Sequence, residues 1–154
     1  MKKVNRMLAL LLAIASLMSI CAFSVSAEDS DIALCGTSIP TSAYYLSNGA
    51  YTASFSNVAA GIYTSKYFVA NDSTIKVKFS GVTTKSSEDD KIAYWLYTNA
   101  GYLVESDPHY TSFTKSGGTE AAGSYTFTTS SKQKYYVWFR SHNGSKMSGT
   151  ITVA

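Results

Sequence analysis

The chain has 154 residues, of which 45% are hydrophobic, 13 are basic and 10 are acidic. Three of the basic residues lie within the first six positions, so the formal charge of +3 disappears if that segment is removed. A neutral chain has no large positive surface for phosphate groups, and we therefore expect no nucleic-acid partner.

Residues 1–27 have the layout of a secretory signal peptide. A basic start precedes an apolar run from Met7 to about Phe23, and Val25-Ser26-Ala27 then resembles an A-x-A cleavage site. An uncleaved membrane anchor is the alternative, because the apolar run approaches the roughly 18 to 20 residues that span a bilayer. The small residues at its exit favour cleavage. This pattern predicts a secreted protein that meets a membrane only through its leader during export.

After the leader we expect one domain. Residues 28–48 lack periodicity and are interpreted as an N-terminal arm that can contribute one edge strand, whereas residues 49–154 form the folded body. Cys35 has no partner for an internal disulfide once Cys21 has left with the leader. We therefore expect a free thiol or an intermolecular bridge, and the cysteine count excludes a metal site built on cysteine.

Short runs rich in Tyr, Val, Phe, Ile and Thr follow, separated by Gly, Asn, Asp and Ser, which is typical of an all-β sandwich or barrel. In STIKVKFSGV, Ile75, Val77 and Phe79 alternate with lysines, so one face is apolar. In KIAYWLYTNAGYLVES, two strands flank a tight turn at residues 99–101. Further strands are predicted in AYTASFS, IYTSKYFV, GSYTFTT, KYYVWFR and SGTITV. The total is about eight strands, with no helix after the leader.

Three stretches in chain order carry a family resemblance: TIKVKFSGV, DDKIAYWLYTNAG and GSYTFTTSSKQKYYVWFRSHNGSKMSGTITV. Over residues 50–153 they resemble the bacterial pre-peptidase C-terminal domain family. The shared features are a lysine- or valine-rich strand, an acidic-led strand ending in a Tyr-x-x-x-Gly turn, and a Tyr-Tyr strand before a Gly-x-x-x-Val close. The resemblance implies an extracellular β-sandwich of jelly-roll type with no activity attached. Members usually follow a catalytic domain, so we expect a free-standing copy to do its own binding.

Groups suited to catalysis are scarce. The only histidines are His109 and His142, and the sequence contains no Gly-x-Ser-x-Gly, His-Glu-x-x-His or Walker-type motif. His109 stands near Asp107, which can orient it as a base, but neighbouring loop residues form such pairs by chance. His142 is expected in the turn that enters the last strand. The sequence therefore predicts a protein that is not an enzyme.

Three consecutive acids, Glu88, Asp89 and Asp90, precede a predicted strand. Calcium prefers several oxygen ligands from a loop, so these residues are a candidate calcium site, which Glu105 and Asp107 can complete only if the two loops meet. However, the spacing is not that of an EF-hand. The alternative is a solvated charge run, and we expect either no cofactor or a calcium ion that acts on stability alone.

Two predicted strands carry large side chains on both faces. The rows expected to face the core are Ile92, Tyr94 and Leu96 in one strand, and Tyr135, Val137 and Phe139 in the other. The opposite rows contain the candidate ligand-binding residues Trp95, Tyr97, Tyr136, Trp138 and Arg140. If the two strands are neighbours, these residues form an aromatic strip.

Such a strip suits sugars, because flat aromatic rings stack on the apolar faces of sugar rings and a large exposed apolar patch usually has a function. Two alternatives stay open: other elements cover the rings, or the rings stiffen the sheet as cross-strand pairs. We expect a secreted, non-catalytic binding or adhesion module whose ligand is an extracellular glycan or a surface protein. The alternative function is a structural or accessory protein that self-associates or stabilises a secreted partner.

Overall fold

The computed structural model describes residues 33–84, 90–113 and 123–154. Within these ranges the chain forms eleven β-strands and one short 3-10 turn at Leu46–Asn48. The predicted signal peptide lies outside the described residues. In the part of the chain that the structure describes, no helix is long and apolar enough to cross a membrane.

The strands form two sheets. The first sheet contains, in spatial order, β1 (Ala33–Leu34), β3 (Tyr51–Val58), β11 (Met147–Val153), β6 (Thr74–Thr84) and β9 (Ser124–Thr128). The second contains β2 (Ala43–Tyr45), β5 (Tyr67–Val69), β10 (Lys134–Ser141), β7 (Asp90–Thr98) and β8 (His109–Phe113), and β4 (Ile62–Tyr63) also pairs with β10. The predicted all-β sandwich is confirmed.

The edge strands β1 and β2 come from the stretch that the sequence assigns to an N-terminal arm. They pair in parallel with β3 and β5 respectively, whereas the other strand pairs are antiparallel. The arm therefore supplies one edge strand to each sheet, where the sequence suggested a single one.

The core lies between the sheets and follows the predicted alternation. Ile75, Val77 and Phe79 on β6 are fully buried, while Lys76 and Lys78 between them are exposed. The predicted inner rows of β7 and β10 are also buried, and Phe139 contacts Phe79 and Phe55 at ring-centroid distances of 5.1 and 5.0 Å. Apolar side chains from both sheets thus share one core, as the period of two residues per strand requires.

Two parts of the strand assignment were wrong. The stretch after the turn at residues 99–101 forms only an isolated bridge, between Leu103 and Tyr97, and the strand that pairs with β7 is β8, which begins at His109. Gly101 does take a positive φ of 86°, as that turn requires. Strand β8 was not predicted from the sequence, because Asp107 and Pro108 directly before it are turn-forming residues and indicated a loop there.

The run IYTSKYFV is two short strands, β4 and β5, and not one. Between them lies Thr64, which is fully buried. Its backbone N–H donates to the Val137 carbonyl at 3.0 Å, and its hydroxyl accepts a hydrogen bond from the Val137 N–H at 3.2 Å. The Thr64 hydroxyl therefore takes the place of a backbone carbonyl as hydrogen-bond acceptor between β4 and β5. Strand β10 keeps its hydrogen bonds along this edge as a result.

Candidate functional site

Strands β7 and β10, which carry the candidate ligand-binding residues, are direct neighbours in the second sheet. Their antiparallel register places Tyr136 opposite Tyr97 and Trp138 opposite Trp95. The two strands are therefore neighbours, which is the condition for the predicted aromatic strip. The four aromatic residues form one continuous group on the side of the sheet that faces away from the core.

Two further tyrosines extend this group. Strand β4 places Tyr63 opposite Trp138, and Tyr67 of β5 lies against Tyr136. We call the six residues the aromatic face: Tyr63, Tyr67, Trp95, Tyr97, Tyr136 and Trp138. The sequence analysis missed the two added tyrosines because nothing in IYTSKYFV says which strand it pairs with. The alternation of Tyr67 with the buried Phe68 was the available signal.

The rings of the aromatic face contact one another across the strands. Tyr97 and Tyr136 stack almost in parallel, with centroids 5.3 Å apart and an interplanar angle of 6°. The rings of Trp95 and Trp138 lie 4.8 Å apart and are tilted by 41°. Offset and tilted arrangements at these distances are favourable for aromatic pairs. Cross-strand pairing, which the sequence offered as an alternative to ligand contact, therefore contributes to this face.

Exposure differs along the aromatic face. Tyr136 is only 3% exposed, because the rings of Tyr63, Tyr67 and Tyr97 surround it at 5.7, 5.9 and 5.3 Å. Trp95, Tyr97 and Trp138 are partly exposed. Tyr136 thus faces outward as predicted but offers little surface to a ligand, whereas the two tryptophans and Tyr97 offer more.

Gly61 fixes one side of Trp138. A methyl group added at Gly61 would overlap three atoms of the Trp138 indole, so the indole lies directly over the backbone at this point. The residue must be glycine for this close approach, since any side chain would displace the ring. The position of Trp138 is therefore set on one side by Gly61 and on the other by Trp95.

Arg140 is exposed and completes the row on β10. Its guanidinium carbon lies 5.9 Å from the ring centroid of Trp95 and 6.0 Å from that of Trp138, within the range of a cation–π interaction. In the described part of the chain, no ion pair involves this guanidinium. Among the described residues its N–H donors form no side-chain hydrogen bond, so they can bind a polar group of a ligand that lies on the tryptophans.

Two tyrosines of the aromatic face, Tyr97 and Tyr136, have a raised pKa and are neutral at ordinary pH. Burial raises the pKa of both Tyr97 and Tyr136, and the neighbouring phenol of Tyr63 raises each further. Neutral phenols keep their O–H donors. The face can therefore offer hydrogen bonds without adding negative charge.

A shallow cavity lies at each end of the face. The cavity beyond Lys134 has a volume of about 370 Å³ and is lined by Tyr45, Ser47, Val69, Ala70, Asn71, Ser131, Lys132 and Lys134. The cavity at the opposite end has about 450 Å³ and is lined by Asp90, Lys91, Ser112, His142 and Asn143. Both cavities are open to solvent.

Only one of the three residues of the candidate calcium site is described. Asp90 is buried, and its carboxylate accepts hydrogen bonds from the Lys91 N–H, the Asn143 N–H and the Ser141 hydroxyl at 2.7, 3.0 and 2.5 Å. Burial would raise its pKa, but these hydrogen bonds outweigh that effect and hold the pKa below the usual aspartate value. Its carboxylate thus joins β7 to the end of β10, and Glu88 and Asp89 lie outside the described residues.

His109 pairs with a different carboxylate from the one that the sequence suggested. Its Nε2 lies 2.9 Å from a carboxylate oxygen of Glu105, and its ring stacks on Tyr125 at 3.5 Å between centroids. The Tyr125 hydroxyl donates to the same Glu105 oxygen at 3.1 Å. The group joins β8 to β9, the edge strands of the two sheets. Within the described ranges, no cluster of three or more His, Cys, Asp or Glu residues could hold a metal ion.

No known protein family matches the sequence, and no curated protein matches it either. Among solved structures, the chain resembles an Arthrobacter globiformis isomalto-dextranase complexed with panose, with a TM-score of 0.43 and 8% identity over 60% of this chain. It spans only 16% of the length of that enzyme.

Two solved structures of similar length also resemble the chain. PliG of Aeromonas hydrophila, a periplasmic inhibitor of g-type lysozyme, has a TM-score of 0.42 and 14% identity over 79% of this chain and 98% of that one. CsCBM6-3 of Clostridium stercorarium, solved with cellobiose, has a TM-score of 0.40 and 17% identity over 83% and 88% of the two chains. These TM-scores are low, so the similarities assign neither a ligand nor an activity to this chain.

Proposed function

We propose that this protein is an exported, non-catalytic binding module that holds a saccharide on its aromatic face. The observation that carries the proposal is the partly exposed pair of Trp95 and Trp138, with Tyr97 beside it and Arg140 at its end. Flat rings cover the apolar face of a sugar and exclude water there, while the guanidinium supplies a directional hydrogen bond.

The outer face of the other sheet supports this interpretation. Its exposed positions on β6 and β9 are polar, among them Lys76, Lys78 and Thr126. A sheet of this sandwich therefore folds without aromatic groups on its solvent side. Aromatic groups on the solvent side are therefore not a general requirement of this sandwich, and an exposed apolar patch of this kind usually has a binding function.

Non-catalytic action is part of the proposal. In the described residues, His109 is occupied by Glu105 and stacked on Tyr125, and the Asp90 carboxylate is satisfied by three donors. The resemblance to pre-peptidase C-terminal domains agrees with this role, since it implies an extracellular sandwich with no activity. The partner glycan is then bound and not cleaved.

The test is binding of the purified protein to a panel of soluble and insoluble polysaccharides, measured by calorimetry and by co-sedimentation. Trp95→Ala and Trp138→Ala should each weaken binding by about tenfold or more, as loss of an aromatic anchor does. Leu34→Ala is the matched control, because Leu34 is an apolar residue that is 70% exposed but lies on the edge strand β1 of the first sheet. It should bind like the unmodified protein.

The alternative function is self-association of the protein through the same aromatic face. Sedimentation velocity of the free protein decides between the two. If the protein forms a dimer that Trp138→Ala dissociates, and no polysaccharide binds, the aromatic face covers a second copy of the chain. A monomer that binds a polysaccharide only when both tryptophans are present supports the saccharide.

A further inference from the structure

We propose that the saccharide is anionic, and that its carboxylate or sulfate groups are held by the basic residues at the two ends of the aromatic face. This inference rests on the proposed function and adds the chemical class of the ligand. It follows from the distribution of charge on the outer side of the second sheet.

The strand registers identify every charged residue that the described strands place on this side. On β10 they are Lys134 and Arg140, and on β7 the only one is Lys91, which is paired with Ser112. The outward positions of β2, β4, β5 and β8 carry no charge. All charges on these strand positions are therefore positive, although the mature chain as a whole is neutral.

The first basic end is the cavity beside Lys134. Lys132 and Lys134 both line it, together with the ring of Tyr45, which is 54% exposed, and the polar side chains of Asn71 and Ser131. Two ammonium groups, an exposed ring and amide and hydroxyl groups suit a sugar residue that carries an anionic substituent.

The second basic end lies about 20 Å away, since Arg140 is six positions after Lys134 on β10 and a strand rises by about 3.4 Å per residue. Here Arg140 is diagonally opposite Lys91, and diagonal neighbours across an antiparallel pair lie about 7 to 8 Å apart. A guanidinium can hold a carboxylate or sulfate through two parallel hydrogen bonds. Such a group would sit next to sugar rings stacked on Trp95 and Trp138.

The acidic residues of the described chain do not neutralise these cations. The only ion pair there joins Glu105 to His109, at the other edge of the sandwich. Asp90 lines the second cavity and stays negatively charged, but its carboxylate is bound by the Ser141 hydroxyl and the Lys91 and Asn143 N–H groups, and within the described residues it forms no ion pair with Lys91 or Arg140. Asp72 follows the cavity residue Asn71 and forms no ion pair with Lys132 or Lys134. The basic residues are therefore available to an anionic ligand.

The test compares polygalacturonate, chondroitin sulfate and neutral dextran as ligands of the full protein. We expect the dissociation constants of the two anionic polymers to be at least about tenfold lower than that of dextran. A tenfold difference corresponds to about 1.4 kcal/mol of binding free energy. Their binding should weaken steeply when about 0.5 M NaCl is added, because salt screens exposed charges. Polygalacturonate carries carboxylates alone, whereas chondroitin sulfate carries both carboxylates and sulfate esters, so markedly tighter binding of chondroitin sulfate would identify the sulfate ester as the preferred group.

Two double variants separate local contacts from bulk charge. Lys132→Gln with Lys134→Gln should reduce binding to the preferred anionic polymer by about tenfold, as expected when charged hydrogen bonds are lost. Lys76→Gln with Lys78→Gln removes the same charge from the outer face of the first sheet and should leave binding unchanged. An equal loss in both variants would overturn the inference, because net charge and not this face would then control binding.

The remaining outcomes separate this inference from the proposed function. If dextran binds as tightly as the anionic polymers and depends on Trp138, the saccharide function holds and the anionic ligand is refuted. If none of these three polymers binds, the anionic ligand is refuted, and binding to the wider polysaccharide panel then decides the saccharide function. If only the anionic polymers bind, and both Trp138→Ala and the Lys132, Lys134 double variant weaken them, both proposals are supported.

Discussion

The two sheets of the sandwich present very different surfaces to solvent. Apart from the exposed Leu34 on the edge strand β1, the outer side of the first sheet carries mainly hydroxyls and amines: Thr52, Ser54, Lys76, Lys78, Thr126, Thr150 and Thr152. The outer side of the second sheet carries the aromatic face and three cations. The inner sides hardly differ, since both are apolar and pack into the same core.

This contrast separates the side chains that stabilise the fold from those on the solvent side that need another explanation. A sandwich gains its stability from the two inner faces, which remove apolar area from water. The polar outer face of the first sheet shows that solvent-side positions can be filled by hydroxyls and lysines. The aromatic residues on the second sheet must therefore be accounted for by their mutual contacts, by a ligand or by both. The following predictions test that division.

The largest effect is expected on the inner row. Phe139→Ala should destabilise the protein by about 3 to 5 kcal/mol, because it truncates a fully buried ring that contacts Phe55 and Phe79. Urea unfolding followed by fluorescence measures the change. Trp138→Ala on the outer row of the same strand should cost well under half as much and should weaken saccharide binding instead. Equal costs would mean that the aromatic face is a second core layer.

Gly61→Ala should be the next most damaging change. The added methyl group overlaps the Trp138 indole, so the ring must move, and overpacking of this kind costs up to about 3 kcal/mol. Gly36→Ala is the matched control, because a methyl group there meets no atom within 4 Å. Introducing Gly61→Ala into the Trp138→Ala background should be nearly neutral. A full cost in that background would show that the indole does not occupy this position.

Asp90→Asn is expected to cost about 1 to 2 kcal/mol at neutral pH, since charged hydrogen bonds to Ser141, Lys91 and Asn143 are weakened. The pKa of Asp90 is lowered in the folded state. Its contribution is therefore complete above the usual aspartate pKa of about 3.9 and is lost as the pH falls through the lower folded value.

Urea midpoints measured between about pH 6 and about pH 2.5 test this effect. The difference in stability between the unmodified protein and Asp90→Asn should shrink toward acid. Asp107→Asn serves as the control, since Asp107 is exposed in the loop before β8. If the difference stayed constant with pH, the Asp90 carboxylate would not be held by these hydrogen bonds.

The smallest effect is expected at Cys35, which directly follows β1, an edge strand of the first sheet. Its thiol packs partly against the core, and burial raises its pKa to about 12. The native protein should therefore react slowly with iodoacetamide at neutral pH, because the thiolate is the reactive form. Cys35→Ser should cost about 1 kcal/mol or less. Rapid alkylation of the folded protein would show that this edge of the first sheet opens.

Part of this architecture is local and could be predicted from the sequence. The side chains of a strand alternate between two faces, so the order of residues alone separated Phe139 from Trp138 and Phe79 from Lys78. The same rule placed Trp95 and Tyr97 on the outer side, and Gly101 marked the turn after β7. These predictions need no knowledge of which strands pair.

The tertiary structure decided what depends on partners that are distant in the sequence. Tyr136 is buried because β4 and β5 bring Tyr63 and Tyr67 against it, although they precede it by about seventy residues. The contact of His109 with Glu105 was likewise not predictable, because the position of Glu105 depends on the loop before β8 and on Tyr125 of the other sheet. The alternation of a strand is a property of its own backbone, whereas strand pairing and ring contacts depend on how the whole chain closes into two sheets.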